Sequence, residues 1–133
     1  MEKQWTSVAQ ACIEGAEVGA MTFPQIVAKL MLEGFESYLI DFRRATATYY
    51  RPDGESLELA TPNTNIAVAA AFDAALLQAA IKEAQQLVPG YTYRGFCDKA
   101  ARAGCAGYLV SFSGRRALYY GRTAETHVEH FPS

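Results

Sequence analysis

Residues 34–50 read GFESYLIDFRRATATYY and residues 104–120 read GCAGYLVSFSGRRALYY, two stretches that align without a gap at an offset of 70. Each opens on a glycine, passes through a Tyr-Leu pair and a phenylalanine, and closes on two tyrosines. Extended outward, residues 22–62 align with residues 92–132 with 11 identities in 41 positions, including Thr22/Thr92, Lys29/Lys99, Glu55/Glu125 and Pro62/Pro132. Self-similarity over this length is the mark of a duplicated unit. The 133-residue chain is therefore read as one domain, residues 1–133, made of two repeats, about 1–62 and 65–133.

Within the quoted stretches Tyr38, Ile40 and Phe42 alternate with Leu39, Asp41 and Arg43, as Tyr108, Val110 and Phe112 do with Leu109, Ser111 and Ser113. Period-two patterning in aromatic and β-branched residues predicts strands with one face on a core. Turns at Arg43-Arg44 and Ser113-Gly114 lead into second strands over 46–51 and 116–121, and third strands follow over 55–60 and 125–130. Upstream of each glycine, apolar residues at helical spacing follow Thr22 and Thr92. Thr22 with Gln25 is a capping box, Pro24 is tolerated in a first turn, and Gly34 and Gly104 stand where a left-handed residue ends a helix. Further helices are predicted over 3–18 and 65–88, the second capped by Asn65 and stopped by Pro89-Gly90. The predicted fold class is α+β: a tandem of helix-helix-strand-strand-strand units with an antiparallel sheet, pseudo-twofold symmetry and helices on one side.

Composition bounds the function. With 50% apolar residues, 20% charged residues and a net charge of −2, nothing favours a nucleic-acid groove. The apolar run over 66–88 is interrupted by Asp73, Gln78, Lys82 and Glu83, so no membrane span is expected. Met1-Glu2-Lys3-Gln4-Trp5 lacks the pattern of a secretion signal, and the expected location is cytoplasmic. Cys12, Cys97 and Cys105 match no C-x-x-C spacing and read as small buried or half-buried thiols, with a reactive thiol as the lesser alternative. No G-x-G-x-x-G, Walker or H-E-x-x-H motif is present, so no cofactor is expected.

The Tyr38-to-Phe42 strand, Tyr49-Tyr50, Phe96-Cys97, Ala103-Gly104, Tyr119-Tyr120 and the Pro132-Ser133 ending resemble the bacterial family numbered 1398 among domains of unknown function, over about residues 8–133. Members often carry the label "phage envelope protein". The resemblance implies no activity, ligand or catalytic residue for these positions, and the composition supplies no physical support for an envelope role.

With Tyr38, Ile40 and Phe42 turned inward, the opposite sheet face is read as carrying Leu39, Asp41, Arg43, Tyr49, Arg51, Leu109, Ser111 and Tyr119. Of these, Asp41, Arg43, Tyr49, Arg51, Ser111 and Tyr119 are the candidates for ligand or interface contacts, since rigid amphipathic rings beside a few polar groups suit both. A solvated face with tyrosines engaged in cross-strand packing is the plainer reading. Glu125, His127 and Glu129 share a face with metal-ligand residue types, but Leu57 and Leu59 at the aligned places point to a face packed in one copy and solvated in the other, or to a strand shifted by one residue. A solvated charged edge is expected and no metal is assigned, a metal being the lesser alternative. Arg43, Arg44, Arg115 and Arg116 form either a basic rim for an anionic ligand or solvated turns. The functional expectation is a noncatalytic module binding a small organic or anionic molecule. The alternative is a homodimeric interaction protein, and an enzyme comes third, with no catalytic residue assigned.

Overall fold

The computed structural model describes residues 4–62 and 66–132. Its element order is α1 (Gln4–Glu17), α2 (Phe23–Leu32), β1 (Ser37–Asp41), β2 (Thr46–Tyr50), β3 (Ser56–Ala60), α3 (Ala74–Gln86), α4 (Tyr93–Arg102), β4 (Cys105–Ser111), β5 (Arg116–Gly121) and β6 (Thr126–His130). The capping box starts α2: Thr22 Oγ1 accepts from the Gln25 amide at 3.4 Å, and Gln25 Oε1 accepts from the Thr22 amide at 2.9 Å. Thr92 caps α4 by accepting from the Gly95 amide at 3.0 Å. Gly95 has no side chain to complete a box there. Gly34 at φ +95° and Gly104 at φ +88° end the two helices in the left-handed conformation that glycine adopts at low cost.

The third helix departs from the sequence expectation. It begins at Ala74, capped by Asp73, whose Oδ1 accepts from the Leu76 amide at 3.1 Å; the expected cap, Asn65, lies outside the described residues. The preceding connector is not helical, because its amides turn to the exposed carbonyls at the end of α4: Ala69 N–H donates to Ala101 O at 3.0 Å and Asp73 N–H to Ala103 O at 2.7 Å.

All six strands join in one antiparallel sheet of order β3-β2-β1-β4-β5-β6. The two three-stranded meanders meet at β1 and β4, where Leu39 lies opposite Leu109. Each β1–β2 and β4–β5 connection is anchored by the residue before it. Asp41 Oδ1 accepts from the amides of Arg43 and Arg44 at 3.0 and 3.1 Å, and Ser111 Oγ accepts from the Gly114 amide at 3.0 Å.

The helices cover one sheet face, and the core lies between the layers. Leu30 from α2, Leu77 from α3 and Val110 from β4 are fully buried, each contributing roughly 1.5–3 kcal/mol of transfer free energy. α1 packs on α2, α3 on α4, and α1 meets α4 across the middle. No helix among the described residues is long and apolar enough to cross a membrane.

Candidate functional site

Directly opposed residues of an antiparallel pair project to the same side of the sheet. Tyr49 is opposite Tyr38, and Tyr119 is opposite Tyr108. The expectation that Tyr49 and Tyr119 face away from the helices is therefore corrected: both lie on the buried face, 3% and 8% exposed, beside Tyr38 at 4%. The rings form a continuous belt. Tyr38 and Tyr49 have centroids 5.7 Å apart, Tyr108 and Tyr119 5.2 Å, and Tyr38 and Tyr108 6.4 Å across the central seam.

This belt floors a cavity of about 990 Å³ between the sheet and the helices. Tyr93, from the first turn of α4, enters from above and places its hydroxyl 2.7 Å from that of Tyr108. The hydroxyls of Tyr38, Tyr49 and Tyr119 have no hydrogen-bond partner among the described residues. Among those residues the sole solvent-inaccessible, unpartnered side-chain N or O atom is Asp98 Oδ1. The three tyrosine oxygens are thus reachable by water, and for side chains so deeply buried the cavity they line is the place where they are reached.

Burial holds the pKa of Tyr38, Tyr49, Tyr93, Tyr108 and Tyr119 above the usual phenol value, so the belt is neutral at any physiological pH. The thiols that line the same space are also neutral: burial pushes Cys97 up to about 12 and raises Cys12 as well. Cys105, buried in β4, is pushed to about 11. A nucleophilic cysteine needs the opposite shift.

The loops that join α1 to α2 and α3 to α4 complete the lining. There Arg94 Nη2 and Nε donate to Glu17 Oε1 at 2.9 and 3.2 Å, tying α4 to the end of α1. At the β6 side Glu129 is engaged by His127 Nε2 at 3.0 Å and Gln85 Nε2 at 3.4 Å. Among the described residues no three His, Cys, Asp or Glu side chains gather as a metal set.

The other candidates are dispersed. Asp41 and Ser111 hold their hairpins, and Arg43 is exposed in its turn. Arg51 lies on the helix side, donating from Nη1 to Glu33 O at 2.9 Å with its guanidinium 4.9 Å from the Trp5 ring centre. The four hairpin arginines do not share a rim. Antiparallel pairing sets Asp41 against Gly107 and Ser37 against Ser111, which sends the two hairpins to opposite ends of the sheet.

Sequence reasoning missed Tyr93, Arg94 and Glu17 as parts of one site, since their meeting depends on how α1 and α4 cross. For Tyr49 and Tyr119 a signal was present: a hairpin centred on Arg43-Arg44 or Ser113-Gly114 already sets these tyrosines opposite Tyr38 and Tyr108.

The family model described as "Protein of unknown function (DUF1398)" matches residues 16–129, and the chain belongs to that family. No curated protein matches the chain.

Proposed function

We propose that this chain, as a member of a family whose function is not known, is a noncatalytic module that holds a small organic molecule in the cavity between its helices and its sheet. One observation carries the reading: three tyrosines more than nine-tenths buried bring unpartnered hydroxyls to a cavity of about 990 Å³. Buried polar groups are ordinarily satisfied, and an apolar pocket with a few convergent polar atoms is the usual form of a ligand site. The reading takes residues 1–133 as one domain of two repeats about a pseudo-twofold axis. It is supported by the offset of 70 and by Leu39 lying opposite Leu109, its own aligned counterpart. It takes the protein as cytoplasmic, in keeping with free Cys12, Cys97 and Cys105. Native mass spectrometry of protein purified gently from its host is the test. A reproducible added mass per chain is expected, absent in Ala117→Phe, which puts a ring into the cavity floor. A bare chain in every preparation overturns the reading.

A homodimer is the second reading. On the uncovered sheet face Leu39, Leu109, Leu118 and Val128 stand directly opposite one another across four strands, with Leu109 39% and Val128 37% exposed. An apolar row of this kind suits a twofold interface. Sedimentation showing a monomer at high concentration removes it.

A further inference from the structure

On the premise that the cavity is the binding site, we propose that its ligand is an uncharged aromatic compound carrying hydrogen-bonding atoms on its edge. The lining sets the shape. Tyrosine rings from four strands and α4, with Phe96 behind Tyr108 at 6.5 Å, meet mostly at tilted or edge-on angles. Such rings leave faces and edges that a flat aromatic molecule can stack on or meet edge to face.

The charge balance sets the class. Arg94 is the only lysine or arginine lining the cavity among the described residues, and its Nε and Nη2 both lie on Glu17. Among those residues the only other basic side chain on that lining is His130, so an anion would give up its hydration for one engaged guanidinium and one imidazole, a costly transfer into a mostly apolar cavity. A cation would meet only carboxylates that already accept hydrogen bonds, Glu17 from Arg94 and Glu129 from His127 and Gln85, and would have to displace those donors. Helix poles cancel as well. Each lining loop joins the C-terminal end of one helix, α1 or α3, to the N-terminal end of the next, whose first turn is already capped by Thr22 or Thr92.

The hydroxyls set the edge. Tyr38, Tyr49 and Tyr119 stay protonated in the folded chain, so each can donate or accept one hydrogen bond. An apolar hydrocarbon would leave all three unsatisfied, which a polar-edged ring system avoids.

Four probes at pH 7 separate these points by calorimetry: 2-naphthol, naphthalene, 2-naphthoate and decanoate. The expected result is one 2-naphthol per chain, with 2-naphthoate and decanoate bound at least about tenfold more weakly. The double substitution Tyr38→Phe/Tyr119→Phe is expected to weaken 2-naphthol about tenfold and leave naphthalene unchanged. Tyr49→Phe makes the same comparison if the double variant does not fold. Binding of 2-naphthoate or decanoate as tight as that of 2-naphthol overturns the ligand class while leaving the cavity as a binding site. Equal weakening of 2-naphthol and naphthalene overturns the part given to the hydroxyls. Binding of none of the four overturns both the class and the site.

Discussion

The turn after α2 and the turn after α4 start from the same glycine and are closed by different means. At Gly34 the neighbour is a side chain: Arg51 donates to Glu33 O at 2.9 Å and lies over Trp5 and Phe35, 4.9 and 5.4 Å from their ring centres. At Gly104 the neighbour is backbone. A Cβ added there would sit 2.1 Å from Ala71 O, where the connector into α3 crosses the end of α4. The position aligned with Arg51 is Gly121, and a Cβ added to it would stand 2.8 Å from Phe72 Cδ1. One segment seals its helix end with a guanidinium and an indole; the other seals it with a passing chain. Equal local signals therefore specify a helix stop without specifying what covers it.

The largest expected effect breaks the comparison at the glycines. Gly104→Ala should cost about 4 kcal/mol, because both the positive φ and the rigid carbonyl of Ala71 oppose a Cβ. Gly34→Ala should cost about 1–2 kcal/mol, since its nearest neighbour, Arg51 Nη2 at 2.9 Å, is the end of a flexible side chain. Equal losses in urea unfolding would show that the connector gives way as readily as the arginine.

A second difference is the load of buried thiols, since Cys97 and Cys105 lie in the second segment and residues 22–62 hold no cysteine. Below about pH 8 a thiol is protonated in folded and unfolded chains alike. Above it the unfolded chain releases the proton that burial makes Cys97 keep until about 12, so stability falls as pH rises through that window. Cys97→Val, which installs the aligned residue Val27, should make the decline shallower by up to about 1.4 kcal/mol per pH unit. An identical slope in denaturant titrations between pH 9 and 11 would place the alkaline sensitivity elsewhere.

The smallest effect sharpens the first comparison. Arg51→Gly gives the first segment the residue of the second without its connector, and should cost about 1–2 kcal/mol through the lost bond to Glu33 O and the uncovered Trp5. A neutral result would mean that water closes Gly34 as well as the guanidinium does.

Much of the fold is legible in the residues themselves. The caps at Thr22 and Thr92, the stops at Gly34 and Gly104 and the inward set Tyr38, Ile40 and Phe42 depend on residues within a few positions of one another. The α3 start is the exception: Ala-rich residues 66–72 have helical composition, yet the Ala69 and Asp73 amides bond to the α4 end instead. The candidate site was half readable. Alternation along a single strand leaves the face of Tyr49 and Tyr119 open, whereas pairing across the hairpin puts them beside Tyr38 and Tyr108 on the buried face. Asp41 and Ser111 looked like ligand groups and serve as turn anchors, a use that their short polar side chains at hairpin entrances already favour.

By itself the amino-acid sequence determined the element types, the helix boundaries at the repeated glycines and the sidedness of the first strands, since steric and hydrogen-bonding preferences of this kind act between near neighbours. Only the tertiary structure decided that both meanders join at β1 and β4, that the tyrosines meet as one belt and that α1 and α4 close over it through Glu17 and Arg94. Those outcomes depend on how whole elements pack across the chain, and a cavity is the space such packing leaves unfilled, which no local pattern encodes.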